Sequence, residues 1–516
     1  MTATDSGPGA SAPMTGQEYL DSLRDGREVW AYGERVKDVT THPAFRNSAR
    51  SIARLYDSLH DPNLQDVLTV PTDTGNGGFT HPFFRVQKSA EDLVRSRDAI
   101  AAWSRMLYGW LGRGPDYKAS LTATMNANAD FYAPYQENAR RFYREAQEKI
   151  LYLNHAIVHP PIDRHLPPDQ VKDVYVHVER ETDEGIVVSG AKVVATNSVL
   201  THYNFIGLYP PPITDPRYAV IFMAPISTPG VKLISRPSYE LQAAAVGSPF
   251  DYPLSSRYDE NDAILVFDQA LIPWECVLCY GDVERANAFT FEAGWLQAAL
   301  LQGCTRFAVK LEFIAGVLLK AVEATGTKDF RGVQARVGEV ILWRDLFWAL
   351  TDSMARNPVP LGAGYVMPNP DTAWVFRAMG QHCYAIVKGI VEQTVGSGLI
   401  YLNSHALDFK NPELSPYLEK YVRGSGGMQA VDRVKLLKLL WDAMGTEFGG
   451  RHELYERNWT GSDEGTRFDA LQIARRTGRA DAFMAFADEC LADYDLDGWK
   501  VPGYVDSSDV NLFTKR

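Results

Sequence analysis

Between residues 174 and 278 the hydrophobic period of this chain changes from that of helices to that of strands, and after Phe289 it changes back. VYVHVERE (Val174 to Glu181) alternates apolar and polar residues with period two. TDEG turns the chain, and IVVSGAKVVATNS (Ile186 to Ser198) returns as a second strand pair. YAVIFMAPI, GVKLISRPSY and AILVFDQALIPWECVL follow with Gly, Pro and Asp turns between them. This spacing predicts an antiparallel barrel or sandwich of about 120 residues. No strand–helix–strand alternation occurs, which argues against a Rossmann domain.

The flanks are helical. Thr15 followed by Glu18 is a capping box. A short strand-like exchange (Glu28 to Val36) precedes helical patterns near Pro43 to His60, Ala90 to Leu111, Tyr117 to Met125 and Tyr135 to Leu153. Gly112 to Pro115 breaks the pattern. After Phe289 the periodicity predicts one amphipathic helix from Phe291 to a C-cap at Gly326, further helices of more than 20 residues, and a last helix from Asp469 to Gly498. The expected layout is a mostly α, α+β chain. It has a disordered tail (1–14), an N-terminal helical domain (15–155), a central antiparallel β-barrel domain (156–288) and a C-terminal helical bundle (289–516). Lobe, barrel and bundle in this order resemble the acyl-CoA dehydrogenase fold, in which a flavin lies between barrel and bundle.

The formal charge of −12 argues against nucleic acid and anionic membrane surfaces as partners. No apolar run approaches the roughly 20 residues that span a bilayer. Five scattered cysteines are no disulfide framework, and the lone Cys276/Cys279 pair reads as buried thiols. With no apolar stretch near the N-terminus, the expected location is the cytoplasm.

Three residues suit an anionic, phenol-like ligand. Arg113 stands on a Gly-Pro corner, Tyr117 follows four residues on, and His155 lies at a helix end before a Pro-Pro bend. A guanidinium, a phenol and an imidazole converging on one oxygen stabilise a phenolate or a peroxide. A surface arginine, a packed tyrosine and a core histidine are the plain alternatives. His155 and His159 are four apart, but Pro160 and Pro161 end any helix there, so no metal site is predicted. VVATNS, ending a strand, suits flavin ring or pyrophosphate contacts. GTEFGGRHELYERNWTG, with Arg451, His452, Arg457 and Asn458, reads as a helix break able to hold a diphosphate or adenosine. Ordinary turn chemistry is the alternative for both. The absence of GxSxG leaves a hydrolase unsupported.

MTGQEYLDSLRDGREVW, NHAIVHPPIDRH, ETDEGIVVSGAKVVATNS, GSPFDYPLSSRYDENDAILVFD, FRGVQARVGEV, GSGLIYL, GTEFGGRHELYERN and DLDGW carry a resemblance over nearly the whole chain. It resembles the oxygenase component of the 4-hydroxyphenylacetate 3-monooxygenase family, two-component flavin-dependent aromatic hydroxylases. The resemblance implies a homotetramer using FADH2 from a separate NAD(P)H:flavin reductase. O2 then gives a flavin C4a-hydroperoxide, and one oxygen is placed ortho to a phenol hydroxyl, giving a catechol. It puts substrate and catalytic contacts at Arg113, Tyr117 and His155. Flavin contacts fall at His155, Ala156, Ile157, Pro161, Ile162, Asp163, Arg164 and Thr196, and at the turn Arg457, Asn458, Trp459 and Thr460. A substrate loop follows Phe205, with Leu208, Tyr209, Pro210 and Pro211. Two departures stand out. The corner reads RGPDY where RTPDY or RSPDY is usual, and the loop FIGLYPPPITDP has three consecutive prolines and no cation for a carboxylate. The substrate is then 4-hydroxyphenylacetate, p-coumarate, or a (chloro-)tyrosyl group tethered to a carrier protein in antibiotic biosynthesis. An acyl-CoA dehydrogenase-like flavoprotein, with a catalytic carboxylate in the bundle, is the alternative enzyme; a helical scaffold is the alternative without catalysis.

Overall fold

The computed structural model describes residues 12–163, 165–166, 170–171, 173–208, 212–402 and 405–501. Residues 1–11 of the expected tail lie outside these, and Met14 at its end packs against the core. Thr15 caps the first helix, Gly16–Ser22, as the capping box predicts: its hydroxyl accepts from the Glu18 N–H, and the Glu18 carboxylate accepts from the Thr15 N–H at 2.7 Å.

The strand block forms two sheets and not a closed barrel. One sheet has six strands in the order Glu34–Val36, Val29–Ala31, Val231–Ser235, Asp262–Pro273, Gly185–Thr196, His177–Glu181. The other has four: Val277–Tyr280, Val220–Pro225, Tyr203–Ile206, Leu153–Ala156. Both are completed by strands from the N-terminal lobe. Val29–Ala31 runs parallel to Val231–Ser235, and Leu153–Ala156 runs parallel to Tyr203–Ile206. Period-two patterning reports which face of a strand is buried, not which strand lies beside it, so this pairing was outside its reach. The expected strand pair at Ile186 to Ser198 is one long strand, Gly185–Thr196. It kinks without turning, because Gly190 adopts φ +113° against the Tyr175 carbonyl, where a Cβ would lie 2.3 Å away.

A helix of 30 residues, Trp295–Ala324, runs through the centre. It is buried along nearly its whole length, and helices Ala90–Met106, Pro115–Ala127, Arg331–Arg356, Pro370–Ile400 and Ala430–Met444 pack around it. This explains its apolar residues on every side. It begins later than Phe291, because Gly294 turns left-handed (φ +89°) and separates it from Val283–Glu292; Gly326 ends it as expected. The last expected helix is two, Asp463–Arg476 and Arg479–Ala492, divided at Gly478 (φ +75°). No described helix is long and apolar enough to cross a membrane.

Gly109 sits where the lobe meets the central helix. Its φ is +76°, and a Cβ would come 2.7 Å from the backbone of Lys310. Gly109→Ala is expected to destabilise the protein by about 1–3 kcal/mol from backbone strain alone, with the steric conflict added. A urea-denaturation change below about 0.5 kcal/mol, the size of an ordinary surface substitution, would overturn this.

Candidate active site

Arg113 occupies the corner before helix Pro115–Ala127, and its backbone is clamped on both sides. Its N–H donates to Glu260 Oε1 at 2.5 Å, and its carbonyl accepts from the Tyr152 hydroxyl at 2.6 Å. These clamps hold the corner whatever residue stands at 114, where a Cβ would press only on the movable Asp116 carboxylate. Gly112 is another matter, since a Cβ there would lie 2.6 Å from the Tyr455 ring. The guanidinium is buried within three rings: its carbon lies 4.0 Å from the centroid of Tyr117, 5.0 Å from Trp459 and 5.2 Å from Tyr455. Its Nη1 is buried and donates to nothing among the described residues. A desolvated donor of this kind is costly.

His155 is on a strand, not at a helix end. The preceding helix Gln136–Lys149 stops at Ile150, which is left-handed (φ +52°), and the chain then straightens into Leu153–Ala156 with His155 opposite Phe205. The ring lies 5.4 Å from Tyr117 and 6.5 Å from Trp295. Its Nδ1 is 2.8 Å from Lys118 Nζ. Burial, then the charges of Lys118 and Arg113, hold the imidazole pKa well below its usual value, so the ring is neutral at pH 7. Lys118 is fully buried and is likewise held well below the usual lysine range, by burial and by Arg113. Beside them, burial pushes the Asp116 carboxyl up to about 6, although Gln302 and the Tyr117 N–H donate to it.

Arg113 and His155 border a cavity of about 570 Å³. Of the residues predicted from sequence, Arg113, His155, Ile157, Thr196, Asn458 and Trp459 line it. Tyr117 stands behind Arg113, and Ala156 is buried on the His155 strand. Pro161, Ile162 and Asp163 form an exposed bend that does not line it, and Arg164 lies outside the described residues. The expected helix break near Gly445 to Gly461 is instead largely a helix, Glu447–Asn458. Arg457 is its exposed last turn, paired with Glu453 at 3.2 Å, and the Thr460 carbonyl accepts from Arg377 at 2.7 Å. Arg451 lines the cavity but is already bound, to Asp262 at 2.9 and 3.1 Å and to Glu260 at 2.9 Å. His452 is in the core against Trp110 and Phe448. Phe205 is in the core, its ring 5.5 Å from Phe289, and Leu208 is buried with its carbonyl accepting from Thr290. Tyr209, Pro210 and Pro211 lie outside the described residues. Lys192, also fully buried, donates to the carbonyls of Gly207 (3.0 Å) and Ile157 (3.3 Å), tying the chain after Phe205 to the cavity wall.

Sequence reasoning missed Lys118, Tyr455 and Asp262. Asp262 collects Arg451, Arg236 and the Thr196 hydroxyl; burial raises its pKa, but these partners outweigh burial and hold it at about 2. The Cys276 and Cys279 thiols are buried and pushed up by that burial to about 11 and about 12, which leaves them unreactive.

Residues 15–279 match the profile described as 4-hydroxyphenylacetate 3-hydroxylase N terminal, and residues 286–488 match its C-terminal counterpart. The chain belongs to the 4-hydroxyphenylacetate 3-hydroxylase family. Within the family it is 59% identical to the (3S)-3-amino-3-(3-chloro-4-hydroxyphenyl)propanoyl-[peptidyl-carrier protein SgcC2] monooxygenase of Streptomyces globisporus, over 95% of this chain and 93% of that one. It is 58% identical to the oxygenase component of 4-nitrophenol 2-monooxygenase of a Rhodococcus species, over 98% and 97% of the two chains. A crystal structure of the 4-hydroxyphenylacetate 3-monooxygenase oxygenase component complexed with FAD and 4-hydroxyphenylacetate superposes with a TM-score of 0.86, at 33% identity over 93% of this chain and 99% of that one. The chain thus adopts the fold of these oxygenase components, a helical lobe, sheets and a helical bundle, with two open sheets where a barrel was expected.

Proposed function

We propose that this chain is the oxygenase component of a two-component monooxygenase that hydroxylates a 4-substituted phenol ortho to its hydroxyl, using FADH2 and O2. The observation that carries the reading is the buried, unpartnered Nη1 of Arg113, held in an aromatic box beside a neutral His155 at the edge of the cavity. The cavity falls within the roughly 300–1,000 Å³ of small-molecule sites. The Tyr455 and Trp459 rings, stacked at 6.0 Å, with Thr196 and Asn458 nearby, suit a planar ring system carrying hydrogen-bonding edges. Reduced flavin, when bound, supplies the electrons that activate O2.

The chain's own residues do the rest. Ile157, Thr196, Asn458 and Trp459 hold the flavin. Arg113, oriented by the Tyr117 ring, and His155 hold the phenol oxygen and raise electron density in the phenol ring. The buried walls exclude water. Three units, 15–155, 156–288 and 289–516, are the domains of this reading, and each contributes described residues to the cavity, among them Arg113, Thr196 and Asn458. Exposed apolar side chains on Arg479–Ala492, such as Phe483 and Phe486, support a homotetramer. A separate NAD(P)H:flavin reductase supplies FADH2, and the enzyme works in the cytoplasm.

Arg451 is engaged by Asp262 and Glu260, so among the described residues no second free guanidinium lines the cavity for a substrate carboxylate. This favours a phenol whose 4-substituent is uncharged or tethered to a carrier. The test supplies FADH2, O2 and a panel of phenols, namely carrier-bound (chloro-)tyrosyl thioesters, p-coumarate, 4-nitrophenol and 4-hydroxyphenylacetate, with catechols read by mass spectrometry. Catechol from at least one is expected, with 4-hydroxyphenylacetate a poor member. No catechol from any, together with oxidation of an acyl thioester, overturns the reading.

A further inference from the structure

We propose that Lys118 is the terminal proton acceptor of a relay that ionises the substrate phenol through His155. This rests on the phenol-binding reading above. The phenol O–H proton passes to His155 Nε2, the His155 Nδ1 proton passes to Lys118 Nζ, and a phenolate and an ammonium result. No oxidant or reductant enters this step.

The geometry is specific. Lys118 Nζ and His155 Nδ1 are 2.8 Å apart, and this is the one hydrogen bond Lys118 makes through its side chain among the described residues. Among the described residues neither side chain forms an ion pair with a carboxylate, which is rare for a wholly buried lysine. His155 lines the cavity, and its other ring nitrogen has no partner among the described residues. A neutral imidazole has one donor and one acceptor, so a proton gained at Nε2 is matched by one given up at Nδ1. Helix Pro115–Ala127 presents Lys118 to the strand and Tyr117 to the ring, while Arg113 stands on its corner. From the sheet side come Glu260 and Asp262, both bound to Arg451. Glu260 and Asp262 favour a charged Lys118, whereas burial and Arg113 oppose it. An ammonium formed at this position gains its counter-charge when a phenolate forms beside His155. His155 alone is a poor base here, because an imidazolium would be buried beside Arg113. Lys118 thus acts through His155, as a positioning and proton-storing residue.

The experiment binds 4-nitrophenol, whose phenolate absorbs visible light, to the anaerobic protein with and without reduced FAD, in weak buffer containing a pH indicator. The wild type is expected to convert bound phenol to phenolate while releasing no proton to solvent, because the proton is kept on Lys118. Lys118→Met is expected to move the pH midpoint for ionisation of the bound phenol upward by at least one pH unit, a tenfold loss. Lys118→Arg carries a permanent charge and takes up no proton, so it is expected to keep the phenolate but release about one proton per site. Release of one proton per phenol by the wild type, which needs no variant, overturns the relay. So does an unchanged midpoint in a folded Lys118→Met protein. Absence of 4-nitrophenol binding both with and without flavin overturns the phenol-site reading itself.

Discussion

Arg113→Ala is expected to lower catechol formed per flavin oxidised by about 10²–10³-fold, the loss typical when one preorganised oxyanion donor is removed. Flavin oxidation itself should continue, with the missing oxygen appearing as H2O2. The size follows from the site's charge balance. Of the two arginines lining the cavity, Arg451 is neutralised by Asp262 and Glu260, whereas Arg113 keeps a buried Nη1 without an acceptor. Its removal therefore takes away the one guanidinium that the described residues leave available to an oxyanion there. Arg113→Lys should recover only a small part, since an ammonium lacks the flat fork that lies on the Tyr117 ring at 4.0 Å. Catechol and H2O2 measured together decide it, and wild-type coupling in Arg113→Ala would remove Arg113 from the mechanism.

Glu456→Ala is expected to destabilise the fold by about 3–5 kcal/mol, because it leaves two buried cations without their anion. Arg306 donates to Glu456 at 2.5 and 2.8 Å, and Lys310 donates at 2.9 Å, with all three side chains essentially inaccessible. Burial alone would raise the Glu456 pKa, but Arg306 and Lys310 outweigh burial and hold it at about 2. A folded-state pKa below the unfolded one means that this stabilisation is present above about pH 4.5 and is lost as the pH falls towards 2. Lys310 has the opposite sense. Burial, against the pull of Glu456, leaves its pKa at about 8, so it opposes folding below that pH and the penalty fades as the pH rises. Urea midpoints at several pH values read both effects. A triple variant with methionine at 306, 310 and 456 should restore most of the loss, as apolar replacements of buried ion networks do. If Glu456→Ala melts like the wild type, the cluster does not hold the helix whose Tyr455 borders Arg113.

Much of this was legible in the chain, for identifiable reasons. Capping boxes, glycine stops and the change of hydrophobic period are local, so the Thr15 cap, the Gly326 stop and the sheet block could be read directly. Arg113, Tyr117 and His155 came within reach because a Gly-Pro corner and a Pro-Pro bend frame them. His155 was placed on a helix because LNHAIVH is a short apolar run, which periodicity does not assign to helix or strand. The switch lies in one backbone angle, at Ile150. Lys118 escaped notice because a lysine in a helix ordinarily faces water, and only the tertiary packing of Pro115–Ala127 on all sides buries it. Arg306 and Lys310 did carry a signal: two cations four residues apart inside an apolar stretch require an anion. Their anion is Glu456, some 150 residues further along, and no local pattern names it.

One arrangement separates what the enzyme does from what it accepts. His155, the proposed proton acceptor, is anchored by four rungs of parallel pairing, Leu153 with Tyr203 through Ala156 with Ile206, and the chain leaves the sheet only after the last rung, at the point Lys192 fastens. On the proposed reading, exchanging the segment that follows Gly207 is a graft onto a finished machine, expected to change which phenol is accepted while leaving Arg113 and His155 where they stand.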